Sequence, residues 1–224
     1  MGVGHLAVGL MLKRVDPRIN LGPLFFATLL PDFLFGIFYW LGLDHASVPA
    51  NYQNAKSVVL VPPYSHGLVS SVLWSGLMFW LATYFWSRGN NKKVGLLFGF
   101  AVFSHFILDF IVHVRDLPTL GPHSYRLGLG LWDHMGIALT LELLLVLTGL
   151  ILYMSTPREI PLSGRFGILI LMVVFSVLTV VGMTSSAPPS MTVLAVSWLV
   201  TPLGLSGLAF WLDRKSFDDS KHVP

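Results

Sequence analysis

Long apolar segments alternate with short polar connections along nearly the whole chain. Six of them are long enough to cross a bilayer as a helix, because about 20 apolar residues span its hydrocarbon core. In chain order they are Asn20–Leu43, Tyr64–Trp86, Val94–Val114, Leu129–Met154, Phe166–Thr184 and Met191–Leu212. The segments lack the period-two alternation that is typical of transmembrane strands, so the pattern predicts membrane-spanning helices.

A shorter apolar segment, Met1–Leu12, precedes these six and is too short to cross the bilayer. Basic residues follow it and hold its end at the membrane surface, and Pro17 permits a sharp turn into the first span. We expect a short helix that folds back into the bundle and carries His5 toward Asp32 and His105. The alternative is an amphipathic helix that lies flat on the membrane surface, far from those two residues.

The composition agrees with a membrane protein. Hydrophobic residues make up 54% of the chain, charged residues only 11%, and the mean hydropathy is +0.72, whereas about a quarter of a soluble domain is charged. We therefore expect an all-α polytopic membrane protein with about six transmembrane helices plus a short N-terminal helix, forming one membrane-embedded domain over residues 1–224. The net charge of +3 does not indicate a nucleic-acid partner, since the basic residues lie in short loops. The absence of cysteine excludes thiolate ligands and thiol catalysis.

The basic residues also predict the orientation of the chain in the membrane. In the six-span arrangement, eleven of the 14 Lys and Arg residues lie on the side of the two termini. The three on the other side are Lys56, Arg115 and Arg126. Because Lys and Arg are enriched in cytoplasmic loops, both termini are expected in the cytoplasm, with the protein in an inner or plasma membrane of bacterial or archaeal type.

Candidate chemistry lies within the segment Val94–Val114, which is apolar apart from a few residues. His105, Asp109 and His113 are spaced four apart, so a helix places them on one face. A carboxylate at bilayer depth flanked by histidines is costly unless it binds something. Neutral imidazole nitrogens and carboxylate oxygens form the ligand set of zinc, with manganese as the other candidate ion. His113 lies nearer to water, where polar residues cost less, and is not assigned as a ligand.

Other ionisable residues fall at similar depths. With a rise of about 1.5 Å per residue, His105 lies roughly 16 Å from the inner edge of its span and Asp32 roughly 18 Å. Glu142 lies roughly 16 Å below the outer edge. Asp32 can act as a ligand or general base, or as a protonated acid bonded to a carbonyl near Ala27 that Pro31 frees. Glu142 is a candidate catalytic carboxylate, or a neutral structural acid.

Several motifs together resemble a known family. GHLAVG, LLPDF, YSHGLVSS and SHFILDFIVH occur in the order seen in the YdjM family, inner-membrane proteins described as metal-dependent hydrolases, and the resemblance covers roughly residues 1–145. A looser similarity in motif order links the chain to zinc-dependent phospholipases C, in which such residues hold several zinc ions. The YdjM-like resemblance implies one or two metal ions, held by His5, Asp32, His66, His105 and Asp109.

These observations predict metal-dependent hydrolysis of an ester or phosphoester, with a membrane lipid or other amphiphile as substrate. A bound divalent ion activates water in such sites, and Asp32 and Glu142 are the candidate catalytic residues. Arg115 or Arg126 could hold a phosphate. A proton- or cation-coupled transporter is the main alternative, since buried carboxylates and histidines also form relays. A non-catalytic membrane scaffold is the third possibility.

Overall fold

The computed structural model describes residues 2–50, 52, 58–86, 92–157 and 161–214, and within these the chain is mainly helical with very little sheet. The eight α-helices of this part are α1 Gly2–Val15, α2 Leu21–Thr28, α3 Leu30–Trp40, α4 Leu68–Leu81, α5 Lys92–Val112, α6 Met135–Met154, α7 Leu162–Thr184 and α8 Met191–Leu212. Helix α4 continues as a π-helical turn, Ala82–Trp86, and a 3-10 turn, Leu131–His134, leads into α6. Two small antiparallel hairpins pair β1 His45–Ser47 with β2 Val59–Val61 and β3 Leu117–Pro118 with β4 Arg126–Leu127.

In the part of the chain that the structure describes, five helical segments are long and apolar enough to cross a membrane. They are Leu68–Phe85, Lys92–Val112, Leu131–Met154, Leu162–Thr184 and Met191–Leu212. Helices α2 and α3 pass the same test as a pair and become the sixth span if they cross together. The all-α polytopic architecture is therefore confirmed. The orientation of the termini stays a prediction, and Lys56, on which the charge count partly rests, lies outside the described residues.

The first predicted span is not one continuous helix. Its two halves are bent by 53° at a break at Leu29. Pro31 lies in the first turn of α3, where a missing N–H costs little. The same proline cannot donate the hydrogen bond that would continue α2, so α2 ends before it. The sequence predicted a freed carbonyl near Ala27; the carbonyl that accepts a side-chain hydrogen bond at the break is that of Thr28, one residue later.

Helix α1 lies inside the bundle. Ten of its 14 residues are buried, and it packs against α2, α5, α6 and α7. Contact with α6 is close at Gly149, where a Cβ atom would come within 2.8 Å of the Ala7 carbonyl oxygen. A helix that is apolar on all sides is stable only when it is surrounded. The fold-back of the N-terminal segment is thus confirmed, and the surface-helix alternative is wrong.

The C-terminal end of α1 is fastened by contacts in the protein interior. Lys13 is buried, and its Nζ lies 2.6 Å from Asp213 Oδ2 and donates a hydrogen bond of 2.6 Å to Ile19 O. Asp213 Oδ2 also accepts the backbone N–H of Leu21 at 2.8 Å. One buried ion pair therefore joins the ends of α1 and α8 to the start of α2.

Candidate metal centre

The fold brings all five predicted metal ligands together. They come from four parts of the chain: α1, the start of α3, the turn before α4 and the middle of α5. Their ligand atoms form two overlapping groups, each with its atoms within 4.8 Å of one another. The first group is His5, His105 and Asp109, and the second is Asp32, His66 and His105.

Two imidazole nitrogens and two carboxylate oxygens converge at the centre of this cluster. His66 Nε2 and His105 Nε2 are 3.1 Å apart. Asp32 Oδ1 lies 3.5 Å from the former nitrogen and 3.7 Å from the latter. Asp109 Oδ2 lies 3.7 Å and 3.2 Å from the same two atoms. Both carboxylate oxygens thus lie beside the same pair of nitrogens.

The helix break determines the tautomer of His105. Its Nδ1 lies 2.7 Å from the Thr28 carbonyl oxygen, which can only accept. The proton of a neutral His105 ring is therefore on Nδ1, and the lone pair of Nε2 points into the cluster. A histidine that donates its second N–H to a carbonyl is the usual arrangement for a metal ligand.

A chain of hydrogen bonds determines the tautomer of His66 in the same way. The Ser65 hydroxyl donates to Asp44 Oδ2 at 2.6 Å, so its oxygen accepts from His66 Nδ1 at 2.8 Å. Asp44 also accepts the backbone N–H of Tyr64. Burial raises the pKa of the Asp44 carboxyl, and the hydrogen bond from Ser65 opposes that shift. Neither Asp44 nor Ser65 is among the predicted site residues. Ser65 directly precedes His66 in the sequence, whereas only the folded chain brings Asp44 to this pair.

These two tautomers leave the facing Nε2 atoms of His66 and His105 without a proton between them. Two neutral rings in this state cannot form a hydrogen bond to each other, and their lone pairs repel at 3.1 Å. A cation between them removes the repulsion. In tetrahedral zinc sites with bonds of about 2.1 Å, two nitrogen ligands are roughly 3.4 Å apart, so the donor set and its spacing fit a divalent ion.

His5 reaches the cluster as the fold-back predicted. Its ring stacks on that of His105, with centroids 3.6 Å apart and planes inclined by 4°. Its Nε2 lies 3.2 Å from Asp109 Oδ1. Among the described residues, none hydrogen bonds to its Nδ1, although the side chain is fully buried. His5 therefore contacts Asp109 through Nε2 only, and its ring is oriented mainly by stacking on His105.

The structure also places His113 at the site, although it was not assigned as a ligand. Its Nδ1 lies 3.0 Å from Asp116 Oδ1, and its ring packs on Trp132 with centroids 4.1 Å apart. The other nitrogen, Nε2, lies 3.8 Å from Asp109 Oδ1. The spacing of four residues from Asp109 was the signal for this contact. The expected closeness of His113 to water was therefore a poor reason for not assigning it as a ligand.

Glu142 has a different place from the one expected of a catalytic carboxylate. It is buried, and its Oε1 accepts the backbone N–H of Gly4 at 2.9 Å. The first N–H groups of a helix have no partner within that helix, and a carboxylate there is favourable. We therefore assign Glu142 to capping α1, which positions His5 one residue further on, and not to catalysis.

A cavity of about 490 Å³ opens beside the cluster. One side of it is formed by the ligand candidates, His113 included, with the exception of His105. The other side is mostly apolar and comes from α7 and α8, with Phe175, Leu178, Leu194 and Trp198 among its residues. The described lining residues include no Lys or Arg, so Arg115 and Arg126 do not border the cavity as the phosphate contact would require.

Comparison of the chain with protein-family models, curated proteins and solved structures finds no match. The resemblance to the YdjM family thus stays a prediction from the motifs, and the geometry of the cluster is the basis for any functional proposal.

Proposed function

We propose that the protein is a membrane-embedded, metal-dependent hydrolase that acts on an ester or phosphoester of a lipid or amphiphile. The observation that carries this proposal is the pair of Nε2 atoms of His66 and His105, facing each other at 3.1 Å with two carboxylates beside them. Such a set costs free energy at bilayer depth unless a cation binds to it. The motif order shared with the YdjM family points to the same chemistry.

His66, His105, Asp32 and Asp109 would hold the ion, and zinc suits this mixed nitrogen and oxygen set best. When bound, the ion supplies a water of lowered pKa and polarises the carbonyl or phosphoryl oxygen of the substrate. Thr28 and the Ser65–Asp44 pair keep the two imidazoles in the tautomer that binds metal.

Asp32 and Asp109 have different surroundings and, we infer, different roles. Both carboxylates border the cavity, but the Asp32 side chain is 32% exposed, whereas that of Asp109 is 3% exposed. The more exposed carboxylate can accept a proton from water and pass it on. Asp32 therefore suits the role of general base as well as ligand, and Asp109 that of a ligand alone.

The cavity supports an amphiphilic substrate. Its polar end is the ligand cluster and its other wall is apolar, so a molecule with a scissile ester and a hydrocarbon chain matches both ends. Apolar ligand-binding cavities commonly fix their ligand through a few polar groups at one place. No described lining residue is a Lys or Arg, so a phosphoester substrate would be recognised chiefly by the metal ion and not by an arginine.

Cation transport is the second candidate, and the break between α2 and α3 is the observation that favours it. Transporters often bind their ions at interrupted helices, which occur as a pair in related halves of the chain. Here the counterpart is not seen in the described chain, because α8 continues from Met191 to Leu212 through Pro202. This difference makes hydrolysis the better-supported function.

The test is turnover by purified protein that has been stripped of metal and then reloaded with zinc or manganese. Phospholipids and simple amphiphilic esters would be supplied in detergent micelles, and products followed by mass spectrometry. We expect product release only when the metal is present and His66 is intact, so His66→Ala should be inactive. His123→Ala is the control, because His123 is exposed. Metal binding without turnover, together with zinc uptake by proteoliposomes, would favour the transporter instead.

A further inference from the structure

We propose that the substrate enters the cavity sideways from the bilayer, through an opening between α7 and α8. The inference rests on the proposed function for the identity of the substrate, and it adds the route by which that substrate arrives. It commits the cavity to a lipid that resides in the membrane, and not to an amphiphile that is taken up from water.

Helices α7 and α8 are in close contact at one end of the pair and are separated at the other. A Cβ atom added to Gly167, near the start of α7, would come within 2.5 Å of Leu212 at the end of α8. At the opposite end of α7, a Cβ atom added to Gly182 would meet no atom within 4 Å. The cavity lies at this second end, because its lining residues from the two helices and their connection all fall between Phe175 and Pro202. The helices therefore diverge and leave a gap beside the cavity.

The outer surface of α7 meets the wall of the cavity at Leu178. Val177 and Val181 are exposed and do not border the cavity. Leu178 lies about 100° further round the helix than Val177. It borders the cavity, and it is nevertheless 60% exposed. A side chain that belongs to both surfaces marks the edge of an opening.

The same transition occurs on α8. Val193 and Val200 are exposed and do not border the cavity, whereas Ser197 and Thr201, beside them on the helix, are half-buried and do. Leu178 of α7 and Ser197 of α8 thus form the two edges of the opening. Both helices are long and apolar enough to cross a membrane, so the opening faces hydrocarbon chains and not water.

The chemistry of the cavity suits a lipid that arrives by this route. The side next to the opening is mostly apolar, and the ligand cluster forms the other side. A lipid that moves sideways from the bilayer keeps its hydrocarbon chain in apolar surroundings throughout. A route through water would expose every CH₂ group of that chain, which is unfavourable.

The experiment is photo-crosslinking of the full-length protein in phospholipid vesicles, in which a fraction of the phospholipid carries a diazirine on one acyl chain. Tandem mass spectrometry then locates the lipid adducts. Wild type should carry adducts on Thr179 and Trp198, which border the cavity, as well as on Val181 of the outer surface. Leu178→Trp narrows the opening, so it should lose the cavity adducts and keep the one on Val181. Val177→Trp, an exposed neighbour that does not border the cavity, is the matched control and should keep all three.

Adducts confined to the outer surface of the wild-type protein would overturn the proposal. Cavity adducts that persist when the opening is narrowed would also overturn it, because the chain would then enter elsewhere. Ser197→Trp narrows the opening from its other edge and serves if Leu178→Trp does not fold.

The adduct map needs no turnover, so it separates this inference from the proposed function. Cavity adducts that depend on the opening, without any hydrolysis, would contradict the hydrolase and leave lateral entry standing. Hydrolysis with adducts on the outer surface alone would do the reverse.

Discussion

His105 Nδ1 donates a 2.7 Å hydrogen bond to the carbonyl oxygen of Thr28, at the point where α2 ends. Within an uninterrupted helix that carbonyl would accept the N–H four residues later. The break before Pro31 releases it, and the released group holds a metal-ligand candidate in one tautomer. The irregular backbone is thus part of the site, which explains why a costly interruption persists in a membrane-embedded helix.

The first prediction concerns the central ligands. Asp109→Asn and His105→Ala should each abolish tight metal retention, because each removes a donor that faces the others across about 3–4 Å. Metal analysis after gel filtration in chelator-containing buffer would measure the loss. Asp109→Asn should remove all bound metal, since both oxygens of Asp109 are engaged, and full occupancy in that variant would refute the assignment.

Ser65→Ala tests the outer hydrogen bonds. The change removes the acceptor for His66 Nδ1 but leaves every ligand in place. Loss of such an orienting partner typically weakens metal binding 10–100-fold, and we expect a decrease in this range in a competition titration against a chromogenic chelator. Ser70→Ala is the matched control, because the Ser70 hydroxyl bonds only to its own helix start at Gly67. Equal affinities in the two variants would remove Ser65 from the site.

The features that could be predicted from the sequence are those set by local periodicity. A spacing of four residues placed His105 and Asp109 on one face of a helix, and their side chains do lie beside each other there. The length and hydrophobicity of Met1–Leu12 likewise predicted that His5 would be carried inward. In each case the information lies within one segment and its distance from the membrane surface.

The features that could not be predicted depend on contacts between distant segments. Thr28 and Asp44 act on histidines 77 and 22 positions away, and nothing in their own neighbourhoods marks them. Glu142 shows the limit of an argument from depth: the argument made it a candidate for the site, but its carboxylate faces the start of α1. Depth gives the layer of a residue, whereas the partner it meets depends on helix rotation and packing.

The buried ion pair between Lys13 and Asp213 should be important for stability. Their side chains are 3% and 0% exposed, and removing one member of such a pair costs about 3–5 kcal/mol. Asp213→Leu should lose about this much, since it removes the carboxylate that balances the charge of the buried Lys13 ammonium. Lys13→Met should lose less, because Asp213 keeps hydrogen bonds from Tyr153 and the Leu21 N–H.

Unfolding in mixed micelles with increasing dodecyl sulfate would measure both losses. Arg18→Ala is the control and should lose little stability. The Arg18 side chain, which pairs with Asp16, is 74% exposed, and solvent screens such pairs. A smaller loss for Asp213→Leu than for Lys13→Met would contradict the interpretation.

The orientation in the membrane also has a direct test. Eleven of 14 basic residues lie on the side of the termini in the six-span arrangement. A reporter that functions only in the cytoplasm should therefore be active when it is fused after Pro224, and a reporter that functions only outside the cytoplasm should be inactive there. A fluorescent protein and a periplasmic phosphatase, fused in turn, give opposite readouts. Phosphatase activity would mean that the termini are outside.

The last prediction concerns the apolar half of the cavity and tests the amphiphilic substrate directly. Gly182, near the end of α7, borders the cavity, and a Cβ atom there would meet no atom within 4 Å. Gly182→Leu can therefore be introduced without a clash, and its side chain would take up part of the space proposed for a hydrocarbon chain. The ligand cluster is untouched, so the metal content should equal that of wild type.

We expect Gly182→Leu to lower kcat/KM for a long-chain ester at least about tenfold. Each CH₂ group of the substrate chain that loses its apolar contact costs about 0.8 kcal/mol, so displacing two such groups is enough for this effect. A short-chain ester with the same scissile bond should be hydrolysed at the wild-type rate, since it does not reach that wall. Gly204→Leu is the matched control: it is an exposed glycine of α8, equally free of neighbours, that does not border the cavity. A parallel loss on both substrates, with unchanged metal content, would show that the apolar wall does not select the substrate.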